Sequence, residues 1–487
     1  MVKKLLLIGL AIVFLGFLVR WESTNWLAVN FVDEQDNMVV GRYLTKGDKL
    51  YEKIFSHHQP GAYIISAANQ IIFKPNTILG LIKQHRQLIT VWSIGWLIIL
   101  GWKFGLKITI PFFIFELIKN IYLGNMFLAE SLVVYPIIYL GLSTFTKLIK
   151  FDAEIIFIGI IIAMTGLTLA PTWPLLGVIT INWMWRWRKN VKNIGLLLTG
   201  IALTTVFVAT FVDLKGYLSN AILVNAKYYI PIAGGSNMFV SFLKSSLTTI
   251  RYLLTSVDNY EILTLKIFCL ILLGLLTKLI IKKEYKKVGW ILLILSLANL
   301  RNFELNKIYY DGFHLLIWAG LLVFIVSSEL KQKNYLLLGI LLWLSFNSNL
   351  NKKTNYQNEF EIYYSRIFNY SEAIRQTKRD QSKLIAIPDE VLGYWQSTIE
   401  PEGRFIFFYK WMTSVDVLRK EQEANLNKLP DYLIVKSNEN LKIDLNNYQR
   451  FSYRGGGESD FYIKKDWYLN FPNEKIVKLK YYGLEAI

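Results

Sequence analysis

Cysteine is nearly absent from this chain. Of 487 residues one, Cys269, carries a thiol, and it lies inside an apolar run. An intrachain disulfide is therefore excluded, and any part of the chain outside the cytoplasm must fold without one. Cys269 itself reads as a small buried hydrophobe rather than a reactive group. Charge is scarce too: Asp, Glu, Lys and Arg make up 18% of the chain, where soluble domains have about 25%. No internal repeat and no low-complexity linker is present.

The shortage of charge is uneven. Residues 155–185 contain no Asp, Glu, Lys or Arg, and neither do Gln87–Trp102, Ser131–Thr146, Asn193–Val212, Val288–Leu300, Leu315–Ser328 and Asn334–Asn351. A bilayer-spanning helix needs about 20 mostly apolar residues. The shorter runs must pack in a bundle or let their polar flanks snorkel. The net charge of +18 does not point to nucleic acid, because much of the basic excess sits in short clusters between apolar runs, the footprint of cytoplasmic loops.

These clusters set a layout. Lys3 and Lys4 precede an uncharged stretch from Leu5 to Val19. Trp21-Glu22-Ser23-Thr24-Asn25-Trp26 follows without a small-x-small cleavage site, so a retained first helix is expected, with its N-terminus in the cytoplasm. Residues 21–83 then lie outside, with an interfacial helix around Gly61–Phe73. A second helix covers about Arg86–Trp102, a third Ile108–Tyr122, and a fourth runs from about Ser131 to Lys147. A hairpin turns at Pro171-Thr172-Trp173-Pro174, and a seventh helix ends near Asp213. Residues 214–257 contain Pro231-Ile232-Ala233-Gly234-Gly235, which should break any single helix. Crossings then end at the Lys282–Lys287 and Lys331–Lys333 clusters, and a last helix covers about Tyr335–Ser348. The expectation is a polytopic α-helical membrane protein of about eleven transmembrane helices with its C-terminus outside.

After Ser348 the chain turns polar and aromatic. Leu384–Ile387, Arg404–Tyr409 and Tyr432–Val435 read as short strands and Ser371–Arg379 as a helix. The reading is thus a transmembrane domain over 1–348, with an external catalytic loop at 21–83, and a small extracytoplasmic α/β domain over 349–487.

Polar groups concentrate between the first two helices: Asp33-Glu34-Gln35-Asp36, Gly41-Arg42-Tyr43-Leu44, Gly47-Asp48-Lys49-Leu50-Tyr51 and His57-His58-Gln59-Pro60. By composition alone this is a solvated loop. The order of elements says more. A first helix, Asp33-Glu34, a helical stretch ending near Gly47, Leu50-Tyr51 and a His/Pro element resemble the first external loop of the GT-C glycosyltransferases. Among these, the branch with the protein O-mannosyltransferases and the lipid A aminoarabinose transferase is the most similar. Ile78–Trp102, with Arg86, resembles that family's second helix, Asn125–Ser131 its second acidic motif, and Pro430–Val435 a strand of its outer domain. His58 and Gln59 stand where aminoarabinose-branch relatives carry an acidic residue and a lysine.

The resemblance implies a sugar on a polyprenyl phosphate as donor and an acceptor hydroxyl on a glycolipid, wall polymer or protein. A hydroxyl needs a carboxylate base, and a departing lipid phosphate needs cations or a metal. The resemblance makes Asp33 the base, Glu34 its neighbour in positioning it, and Glu130 a second carboxylate on the same face. With the lysine missing, Arg86, Arg301, His314, His57 and His58 are the candidates for phosphate or sugar contact. A divalent metal on Asp33, Glu130 and His58 is an open expectation. Glu116 and Lys119 share a helical face inside the third helix, as a functional or a structural pair. A secondary transporter and an inactive membrane scaffold with an external binding domain are the alternatives. The first normally shows internal repeats and broken helices; the second leaves Asp33 and Glu130 without a task.

Overall fold

The computed structural model describes residues 2–26, 31–145, 151–234, 238–256, 260–298, 300, 312–330, 339–340, 356–436 and 444–487. Ten apolar helices among them follow the predicted order: α1 (Val2–Asn25), α4 (Ile78–Phe104), α5 (Thr109–Lys119), α6 (Ala129–Phe145), α7 (Asp152–Gly166), α8 (Trp173–Arg186), α9 (Val191–Ala209), α10 (Tyr260–Ile281), α11 (Tyr285–Leu297) and α12 (Leu316–Glu329). Two further helices, α2 (Val32–Thr45) and α3 (Gly61–Phe73), lie between α1 and α4. Four helical stretches are long and apolar enough to cross a membrane on their own: Ile78–Phe104, Val191–Ala209, Tyr260–Ile281 and Gly312–Glu329. The last predicted helix, Tyr335–Ser348, and the boundary at Ser348 fall largely outside the described residues.

Burial sorts the helices by depth in the bundle. Every residue of α12 from Leu316 to Ser327 is buried, so α12 is its axis, whereas α9 buries only Leu197, Gly200 and Val208. The α7–α9 crossing shows how small residues permit close approach. Gly159 and Gly200 oppose each other with a Cβ position of either 3.0 Å from the other's Cα, and a real Cβ would collide with a carbonyl of the facing helix. Lys103 of α4 pairs with Glu154 of α7, and Tyr139 of α6 donates to the same carboxylate at 3.1 Å.

Two boundaries differ from the sequence reading. α4 starts at Ile78 because Thr77 caps it, its hydroxyl accepting from Gly80 N at 3.1 Å. Arg86 therefore lies about two turns inside the helix. Among the described residues, 214–234 and 238–253 are mostly helical, including a π-helix at Tyr217–Tyr229. The π-helix passes directly into the helical turn Ile230–Gly234, so Pro231 lies within a continuous helical run rather than at a break before it.

The tail begins with α13 (Tyr356–Thr377), longer than predicted, and forms one six-stranded sheet. Its strands are β1 (Lys383–Ile387), β2 (Glu400–Pro401), β3 (Tyr432–Lys436), β4 (Tyr448–Tyr453), β5 (Ser459–Lys464) and β6 (Leu484–Ala486), in the order β2-β1-β3-β5-β4-β6. β1 pairs parallel with β2 and β3, and the rest are antiparallel. Arg404–Tyr409 is not a strand. Its backbone bonds go elsewhere, Phe55 N to Arg404 O at 2.8 Å and Phe408 N to Pro388 O at 2.6 Å, while Phe405–Phe408 are wholly buried. This segment joins the sheet domain to the 32–82 region, and the two share one apolar core.

Candidate functional site

The site is built around α2. Phe31 precedes it in extended conformation, and Asp33 and Glu34 occupy its first turn, where carboxylates suit the helix dipole. Every residue of α2 from Glu34 to Gly41 is buried, so the helix is enclosed on all sides over two turns. Gly41 lets α3 approach: a Cβ there would meet Ser66.

Glu34 and Arg86 are held against each other with neither side chain exposed. Arg86 donates through Nε at 2.9 Å and through Nη2 at 2.5 Å to the two Glu34 oxygens, and through Nη1 to Trp26 O at 3.2 Å. Glu34 Oε1 also accepts Phe127 N at 2.9 Å, while Asn37 Nδ2 donates to Phe127 O at 3.1 Å. Both peptide groups of Phe127 are thus held by α2, which fastens Asn125–Ser131, the second acidic motif, to the first.

Glu130 lies in the first turn of α6, buried, facing a small cleft that it shares with His314, Pro171, Thr172, Leu300 and Ile317. Phe31 packs edge-on against Phe313 at 5.2 Å, and both lie against Met126 and Leu128. The starts of α2 and α6 and the turn at Gly312–Leu315 therefore meet. Arg301 lies outside the described residues.

His57 and His58 place their rings side by side, centroids 4.0 Å apart. His57 is buried between Tyr229 at 4.6 Å and Trp411 of the tail at 5.1 Å. Their loop is tied to α2 by a directional chain. His58 N donates to Ser56 Oγ at 3.1 Å, Ser56 meets the Tyr63 hydroxyl at 2.7 Å, and Tyr63 donates to Asp36 Oδ2 at 2.8 Å.

The sequence reading treated Asp36 as part of a solvated loop; it is 2% exposed. Burial, and then the charge of Asp33, push its carboxyl up to about 7 against the opposing Tyr63 hydrogen bond. Asp33, one helical turn earlier, is half-buried. From the tail, Tyr409 faces both carboxylates; burial, then Asp33 and Asp36, raise its phenol well above the ordinary value. Asp36, Tyr63, Tyr409 and the fourth histidine, His85, were absent from the sequence-derived site. His85 is buried in α4, bonded to Ser66 Oγ at 2.9 Å and Leu81 O at 2.7 Å. The i,i+3 spacing of Asp33 and Asp36 was the available signal. Among the described residues no group of three His, Cys, Asp or Glu is placed to hold a metal ion, so Asp33, Glu130 and His58 do not form such a group.

The tail seals this region. Arg42 donates to the carbonyls of Tyr394 and Trp395, Trp395 Nε1 to Gln70 Oε1 at 2.8 Å, and Ile78 N to Gln396 Oε1 at 2.9 Å.

This arrangement, ten bundle helices among the described residues with the α2–α3 pair under a terminal sheet domain, has a counterpart among solved structures. The crystal structure of ArnT from Cupriavidus metallidurans bound to undecaprenyl phosphate superposes with a TM-score of 0.54 over 95% of this chain and 97% of that one. The chain shares the fold of ArnT. Sequence identity is 10%, so the likeness is one of architecture. No family model and no curated protein sequence matches. With ArnT it shares the polytopic helical membrane fold and the small C-terminal sheet region.

Proposed function

We propose that this protein is a membrane glycosyltransferase that moves a sugar from a polyprenyl-phosphate donor to an acceptor hydroxyl on the outer face of the membrane. One observation carries the reading: a fold similar to ArnT, crystallised with undecaprenyl phosphate, in which the Asp33–Glu34 pair heads a helix fixed between α4, the Phe127 loop and the tail.

In the proposed reaction the acceptor oxygen forms a bond to the anomeric carbon as the bond to the lipid phosphate oxygen breaks. The electron pair leaves with the phosphate and the hydroxyl proton passes to Asp33, with inversion at the sugar carbon. Whether the transferred sugar is a hexose or a pentose is left to the product analysis. Glu34 acts through Arg86 and Phe127 by holding α2 in place. Glu130 and His314, lining one cleft, and the paired rings of His57 and His58 are the proposed donor contacts. The glycolipid, wall-polymer and protein acceptors are distinguished by mass spectrometry of the products.

The experiment is transfer of radiolabelled sugar from polyprenyl phosphate by the purified protein, with and without chelator. Label appearing on an acceptor, and lost in Asp33→Asn, supports the reading. Solute uptake without transfer points to the transporter.

A further inference from the structure

The bundle contains a second set of buried charges that the proposed reaction does not use. Glu22 of α1 and Glu116 and Lys119 of α5 are all fully buried. Lys119 Nζ meets Glu116 Oε1 at 2.8 Å and donates to Ser93 Oγ at 3.0 Å. Tyr135 of α6 donates to the same Glu116 oxygen, and Asn120 Nδ2 donates to Glu22 Oε1 at 3.3 Å. Four helices and the turn after α5 thus converge on one polar cluster. Ser93 follows Arg86 by seven residues on α4, which places the cluster about 10 Å further along that helix.

Two observations say that the cluster is incomplete. The first is charge. Among the described residues Lys119, Glu116 and Arg86 are the charged groups that face Glu22, and Arg86 is already matched by Glu34. Two carboxylates then stand against one ammonium, leaving an uncompensated negative charge where charge is expensive. The second is hydrogen bonding. Among the described residues Glu22 Oε2, Glu116 Oε2 and Asn120 Oδ1 are buried without a donor. Three unpartnered acceptors in one buried cluster are a specific lack of hydrogen.

We propose that Glu22, Glu116 and Asn120 form a buried proton-binding site that holds one proton on a carboxyl oxygen. A single proton cancels the excess charge. It also turns one orphan acceptor into a donor for another. A metal cation would meet the charge count, but the Lys119 ammonium already sits on Glu116 and opposes a second fixed cation beside it. The site is independent of the reaction proposed above.

The test is infrared difference spectroscopy of the full-length protein in lipid nanodiscs, in a D36N background that removes the Asp36 carboxyl already raised to about 7. At neutral pH a protonated-carboxyl C=O band is expected, absent from Glu22→Gln or Glu116→Gln and retained in Glu154→Gln. Tyr135→Phe keeps both carboxyls and takes one donor from Glu116, so it should shift the band even if the glutamine variants fail to fold. No band in the starting protein, a band that survives both glutamine variants, or one indifferent to Tyr135→Phe overturns the proposal. So does a band displaced by sodium at constant pH, which would make the occupant a metal ion.

Discussion

Glu34 and Arg86, 52 residues apart, form a bidentate ion pair with both side chains fully buried, and this pair joins α2 to α4. Removing one partner from such a pair leaves the other charge buried and alone, typically at about 3–5 kcal/mol. Arg86→Ala should therefore lower the melting temperature and the folded yield sharply, while Lys189→Ala in an exposed loop should do neither. Glu34→Gln with Arg86→Met should fold better than Arg86→Ala alone. An Arg86→Ala protein of normal stability that has lost only donor use would return Arg86 to the phosphate-binding role.

Asp36 gives a pH dependence with a definite sign. Its ordinary value of 3.8 is raised to about 7 in the folded protein. The folded state keeps the proton to about pH 7, while the unfolded chain releases it near 4. Stability from this group is thus full at low pH and declines as pH rises between those values. The ceiling on the loss is on the order of 4 kcal/mol. Asp36→Asn keeps an acceptor for Tyr63 and cannot ionise. Its melting temperature should fall less than that of the parent between about pH 4 and pH 7. Parallel curves for the two proteins would show that Asp36 does not titrate in this range.

The sequence exposes the helices and the head of α2 because both are written locally, in apolar runs and in an Asp-Glu pair after the first of them. It does not expose partners made by the fold. Arg86 looks like a free cation at a helix start until Thr77 is seen to cap the helix earlier and Glu34 to arrive from another element. Asp36 looks solvated until Tyr63 and the tail cover it. Arg404–Tyr409 has the composition of a strand, and becomes a buried connector because Phe55 and Pro388 take its backbone bonds.

The basic clusters predict the orientation. Reporter fusions at Lys192 and Lys287 should read cytoplasmic, and a fusion after Lys353 external. The tail packs on α2 and α3, so a cytoplasmic tail would carry Asp33 with it and remove the outer-face reaction.

The central claim rests on Asp33. A base acting in the transition state typically contributes about 10²–10⁴-fold in rate. Asp33→Asn keeps the shape of the side chain and cannot take the proton. The decisive measurement is single-turnover sugar transfer from polyprenyl phosphate by Asp33→Asn beside Asp36→Asn, at matched protein levels and saturating donor. The account predicts a loss in that range for Asp33→Asn with donor binding intact, and near-parent transfer for Asp36→Asn. Full transfer by Asp33→Asn would contradict it.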